Sequence, residues 1–121
     1  MALDTLINPM MAQSVRDKWF KEHGYNIVHS KYFFEGGDVV KSENVAVFGY
    51  GFRSEIAAAE QLRALYPSLK IIVLELQNPT FYHLDTCFHL IDNSTALYYP
   101  KAFSNQSRRK IQKGFKTVEV S

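Results

Sequence analysis

The chain has 121 residues, 46% of them hydrophobic and 21% charged, with a formal net charge of +2, which suffices for one core and is too short for two ordinary domains. Mixed charge signs without a concentrated basic surface argue against nucleic-acid and membrane binding; no apolar run reaches spanning length, and Asp4 with no basic start does not read as a signal peptide. A single cysteine, Cys87, excludes an internal disulfide and fits a reducing, cytoplasmic compartment.

In chain order, a short apolar start at residues 2–7 meets a turn at Asn8-Pro9. Val15, Trp19 and Phe20 then predict an amphipathic helix that ends near His23-Gly24, a glycine suited to a left-handed cap. Strand-like residues follow from Tyr25. Phe33 and Phe34 lead into Gly36-Gly37, Val39-Val40, a turn at Ser42-Glu43-Asn44 and the apolar run Val45-Ala46-Val47-Phe48, a hairpin pattern closed by Gly49-Tyr50-Gly51. Ser54 is placed as the N-cap of a helix with Ile56, Ala59, Leu62, Leu65 and Tyr66 on one face, ending before Pro67. Residues 70–76 read as a buried strand.

The second half follows the same plan. A strand over 81–91, a turn at Asp92-Asn93-Ser94, a return strand over 95–99, a helix over 106–113 capped by Ser104 and a last strand over 116–120 are predicted. Val45-Ala46-Val47-Phe48 matches Ala96-Leu97-Tyr98-Tyr99, and Ile71-Ile72-Val73-Leu74 matches Thr117-Val118-Glu119-Val120, giving an internal ββαβ repeat of about 45–50 residues. The expected organisation is a single partial domain, with an incomplete repeat over 1–31 and repeats over 32–77 and 81–121.

Chemistry concentrates in Phe34-Glu35-Gly36-Gly37-Asp38 and in Tyr82-His83-Leu84-Asp85-Thr86-Cys87-Phe88-His89. Along a strand, His83, Asp85, Cys87 and His89 would share one face. That row is open to three readings: a catalytic or substrate-binding row, a metal site, or a structural hydrogen-bonding row. Same-face strand residues lie about 7 Å apart, so one ion cannot easily take all four, and no metal is expected. A hydrogen-bonded structural role is the safer reading for His89. The glycine pair admits a hairpin bulge or close approach of a ligand, with Asp38 projecting from the strand start. Two acids near a histidine suit a planar cation such as guanidinium, whose forked donors match carboxylates.

Glu35-Gly36-Gly37-Asp38, Gly51-Phe52-Arg53-Ser54 and His83-Leu84-Asp85-Thr86, in this order and spacing, resemble the guanidine-modifying enzymes, or penteins: arginine deiminases, dimethylarginine dimethylaminohydrolases and glycine amidinotransferases. The resemblance covers nearly the whole chain and is nearest to the dimethylarginine dimethylaminohydrolase-like bacterial proteins. It implies an α/β propeller of five ββαβ units, of which this chain fits about two and a half. It also implies His83 as acid and base, Asp38, Asp85 and Glu35 as substrate-binding carboxylates, Arg53 as holder of the substrate carboxylate, no cofactor, and an arginine-like guanidino compound as partner. Arg53 read without the resemblance is a solvated helix-start residue, and Asp85 one that orients a neighbour.

Two departures shape the expectation. Phe52 stands where deiminases of this family often carry a glutamate, so the partner of the histidine is expected to be missing or supplied elsewhere. The family nucleophile, a C-terminal cysteine, is not matched, and Cys87 reads as a small core thiol. The chain is therefore expected to be a partial hydrolase or amidinotransferase, inactive alone, working with a complementing chain. The alternative is a non-catalytic ligand-binding or interaction module that oligomerises through open strand edges. Arg108-Arg109-Lys110, with Lys113 and Lys116, reads as a solvated helix face.

Overall fold

Alternating apolar residues and two turn signals organise the middle of the chain into a small mixed sheet. The structure, a computed structural model, describes residues 3–7, 18, 21–29 and 31–121, with the backbone alone at 3–7 and 25–29. Strands β1 (Leu3–Ile7) and β2 (Tyr25–His29) pair in parallel. Between them, Gly24 turns the chain at φ +86°, as its lack of a side chain allows. The Asn8-Pro9 turn and the helical residues Val15, Trp19 and Phe20 lie outside the described residues.

The order ββαβ then occurs twice. β3 (Val39–Lys41) and β4 (Val45–Tyr50) form the expected antiparallel hairpin, and α1 (Ala58–Leu65) returns the chain to β5 (Lys70–Glu75), parallel to β4. β6 (Phe88–Leu90), β7 (Thr95–Tyr98), α2 (Asn105–Gly114) and β8 (Lys116–Glu119) follow the same order and pairing. The described strands make three separate sheets, none of them closed into a barrel.

β4 is buried through five consecutive residues because both of its faces are covered. Val45 and Val47 join Leu74, Leu84, Phe88, Tyr98, Phe103 and Ile111 in a core shared by the two ββαβ segments, while Phe48 packs with Phe34, Ala58, Ala59 and Leu62 under α1. Leu76 bridges to Phe103, Ser104 donates its N–H to the Glu75 carbonyl at 3.2 Å, and Glu75 donates to Ser107 Oγ at 2.8 Å. These bonds stitch the end of one segment to the helix start of the next.

Four sequence expectations change. The strand over 81–91 is a short 3-10 turn at Leu84–Thr86 followed by a three-residue strand, so His83, Asp85, Cys87 and His89 do not share a face. The turn wins because Asp38 captures the Leu84 N–H at 2.8 Å, while Thr86 bonds back to the His83 carbonyl through both N–H and Oγ1. Ser54 does not cap α1, which begins at Ala58, and Ile56 is left exposed; the Ser54 hydroxyl is used in a tertiary network instead. β5 is half-buried, with only Leu74 enclosed. The repeat register moves by one residue: Val45 pairs with Lys70 as Thr95 pairs with Lys116, so Val45 corresponds to Thr95. Ser104 does cap α2, accepting from the Ser107 N–H at 3.2 Å.

Candidate functional site

Two 3-10 turns, Gly36–Asp38 and Leu84–Thr86, each lead into the first strand of a hairpin and lie against each other. The residues that open them adopt the same extended backbone: Glu35 at φ −125°, ψ 146°, and His83 at φ −122°, ψ 144°. In each turn the N–H three residues on returns to that opening carbonyl, Asp38 to Glu35 and Thr86 to His83. Equivalent positions in neighbouring segments therefore project toward each other. Glu35 Oε2 lies 2.5 Å from His83 Nε2, with the His83 side chain 22% and the Glu35 side chain 39% exposed. With Glu35 ionised the carboxylate accepts, and the bond takes its proton from Nε2.

Asp85 stands next to this pair. Both of its oxygens are 3.2 Å from the position a Cβ would take on Gly37, and His83 Cγ is 3.3 Å from it. Glycine at 37 is thus the contact surface on which His83 and Asp85 rest. Asp85 is exposed and makes no hydrogen bond or ion pair among the described residues, leaving its carboxylate available to a cation. Arg53 Nη1 sits 3.8 Å from Glu35 Oε1, and its guanidinium lies 4.9 Å above the Tyr82 ring.

Asp38 occupies a different environment. It is 0% exposed, and its oxygens accept from Ser54 Oγ at 2.6 Å and from the Leu84 N–H at 2.8 Å. Burial pushes its carboxyl above the ordinary 3.8, against the pull of those two bonds and of His83. Ser54 Oγ also accepts the Glu35 N–H at 3.0 Å.

The sequence expectation brought His83, Asp38, Asp85, Glu35 and Arg53 to one place, and all five do converge. The geometry divides them: Glu35 faces His83, Asp85 faces outward, and Asp38 is turned inward. The carboxylate partner left open by Phe52 is Glu35, 48 residues before the histidine. Gly37 was read as one of a glycine pair open to a bulge or a close approach, and Ser54 as a helix cap within the Gly51-Phe52-Arg53-Ser54 motif; the bonds of Ser54 to Glu35 and Asp38 leave no local trace. Cys87 is not part of the reacting surface. It is 5% exposed, its Sγ donates toward the Leu84 carbonyl at 3.5 Å, and burial pushes the thiol up to about 12. His89 lies exposed on β6, opposite Leu97 of β7. Among the described residues, no three His, Cys, Asp or Glu side chains are grouped to hold a metal ion, and no helix is long and apolar enough to cross a membrane.

A sequence model of the arginine deiminase family matches residues 7–118. The N(G),N(G)-dimethylarginine dimethylaminohydrolase of Mycobacterium tuberculosis is 36% identical over 94 residues, covering 77% of this chain and 31% of that protein. The bifunctional arginine dihydrolase/ornithine cyclodeaminase AgrE of Nostoc is 38% identical over 100 residues, 78% of this chain and 14% of that protein. The crystal structure of the substrate-bound N-terminal domain of ArgZ, a cyanobacterial arginine dihydrolase, superposes with a TM-score of 0.85 at 27% identity, covering all of this chain and 49% of that one. The chain thus spans half or less of the length of these relatives. With its two turns and their carboxylate and imidazole side chains placed as described, the chain belongs to the arginine deiminase family, within the guanidine-modifying, or pentein, superfamily.

Proposed function

We propose that this chain supplies the proton-transfer and guanidinium-holding half of a hydrolase or amidinotransferase acting on an arginine-like compound. One observation carries the reading: the Glu35–His83 contact with the unpaired Asp85 carboxylate beside it. Asp85 receives N–H donors of the substrate guanidinium. Glu35 orients the imidazole through its contact with Nε2. A thiolate attacks the guanidinium carbon, the C–N bond breaks, and the leaving nitrogen takes its proton from His83. Water, or an amine in an amidinotransferase, then loses a proton to His83 as it displaces the sulfur.

The thiolate is not Cys87, whose buried sulfur points at backbone carbonyls, and the sequence has no second cysteine. The nucleophile therefore comes from outside these 121 residues, in a longer protein or a complementing chain that also extends the ββαβ series toward a propeller. The names of the Mycobacterium and Nostoc relatives support an arginine-like substrate. A second reading, a non-catalytic module that oligomerises, draws support from β8, whose four residues are all exposed, and from the adjoining exposed Val120.

Titration with L-arginine followed by amide and imidazole resonances tests the first reading. The expected result is saturable movement at His83 and Leu84 that Asp85→Asn removes. Coexpression with a cysteine-bearing complementing chain is then expected to yield citrulline. No arginine response together with no turnover would reject the enzyme reading.

A further inference from the structure

Asp38 cannot hold a substrate in this arrangement, because it is 0% exposed and both its oxygens already accept hydrogen bonds. What those bonds reach is informative. Oδ1 takes the N–H of Leu84, the residue directly after His83, at 2.8 Å. Oδ2 takes the hydroxyl of Ser54 at 2.6 Å, and Ser54 Oγ in turn accepts the N–H of Glu35 at 3.0 Å. A continuous relay thus runs from the backbone of Glu35, through Ser54 and Asp38, to the backbone joining His83 to Leu84. It links residues 48 apart in sequence, the two partners of the imidazole–carboxylate contact.

We infer that Ser54 and Asp38 are positioning residues that fix the register between Glu35 and His83. The two bonds engage separate oxygens of the carboxyl group, so both ends of the Asp38 side chain are held in directed contacts. The segments meet otherwise near this point through apolar contacts such as Leu84 against Gly49, and packing of that kind is non-directional. Directed hydrogen bonds can hold a side-chain pair to the fraction of an ångström that proton transfer demands. The corresponding residue of the other turn, Thr86, is exposed and its hydroxyl donates to the His83 carbonyl, so among the described residues it makes no counterpart to the relay.

The inference rests on reading Glu35 and His83 as the proton-transfer pair, but its test needs no turnover. The Nε2–H proton of His83, held against Glu35, is expected as a low-field resonance in the NMR spectrum of the 121-residue chain. Ser54→Ala and Asp38→Asn are expected to shift it upfield or abolish it while circular dichroism stays native. Ser107→Ala is the matched control, since Ser107 is likewise a buried serine accepting a backbone N–H, from Glu75, and it is expected to leave the resonance in place. If Ser54→Ala does not fold, Asp38→Asn, nearly isosteric, decides. Absence of the resonance in the parent chain would overturn the inference. So would a wild-type resonance in folded Ser54→Ala or Asp38→Asn, or an equal shift in Ser107→Ala. In the assembled enzyme the same two variants are expected to lower kcat roughly 100-fold with KM for arginine largely kept. Failure of arginine to bind would reject the functional reading and leave the resonance result standing.

Discussion

The turns at Gly36–Asp38 and Leu84–Thr86 open on the same extended backbone and carry opposite chemistry, and they leave differently: Val39 is extended at φ −118°, ψ 118°, whereas Cys87 turns at φ −139°, ψ 4°. At the opening position one carries an acid, Glu35, and the other a base, His83. At the next, Gly36 faces open space whereas Leu84 is buried in the shared core. At the third, Gly37 presents a bare surface and Asp85 an exposed carboxylate; at the fourth, Asp38 is buried and Thr86 exposed. One turn supplies the platform and the other the side chains that rest on it. Two turns that open alike are thereby joined, since pairing across their interface is what brings Glu35 to His83.

The largest effect should come from removing the base. In an enzyme assembled with the nucleophile-bearing remainder, His83→Ala is expected to lower citrulline formation by about 10²–10⁴-fold, whereas Cys87→Ala should retain most of the rate because its thiol is buried and pushed up to about 12. Steady-state assays of the two variants check this. Next in size is Leu84→Ala: Leu84 is 0% exposed and ties its turn into the core, so urea denaturation should show a loss of about 2–5 kcal/mol. The glycines then separate the platform from its edge. Gly37→Ala meets Asp85 at 3.2 Å and His83 at 3.3 Å, and Gly36→Ala meets nothing within 4 Å. Calorimetric titration should find arginine bound roughly tenfold more weakly, about 1.4 kcal/mol, in the first and unchanged in the second.

The smallest effect is a pH dependence. Burial raises the folded-state pKa of Asp38 above the ordinary 3.8, so the folded chain binds that proton more tightly than the unfolded one. The stabilising contribution of this group is fully present below pH 3.8 and is lost as pH rises through its folded value. Asp38→Asn should flatten the stability profile in that window, measured as urea midpoints against pH. Thr86→Ala, at the exposed equivalent, should leave it unaltered.

Much of this fold is legible locally. The Val39-Val40 and Val45–Val47 pattern marks a hairpin, Gly24 a left-handed turn and Ser104 a cap, and each depends on residues within a few positions. The failures share a non-local cause. Residues 81–91 alternate like a strand, yet Asp38, 46 residues earlier, takes the Leu84 N–H and the chain turns. Ser54 resembles a helix cap, but the same carboxylate claims its hydroxyl. The acidic and histidine motifs could be paired from the sequence, and the two turns that carry them do lie against each other. Their division of labour was not legible, because burial distinguishes Asp38 from Asp85 and sequence spacing does not. The Glu35–His83 pairing had one faint signal: both residues stand at the same place in successive ββαβ segments.

That pairing is tested most directly by a double-mutant cycle on citrulline formation in the assembled enzyme, using Glu35→Gln, His83→Ala and the two together. If the residues act as one unit, the double variant should be no slower than His83→Ala alone, since Glu35 has no imidazole left to orient. Losses that multiply would contradict the account and assign Glu35 a role independent of His83.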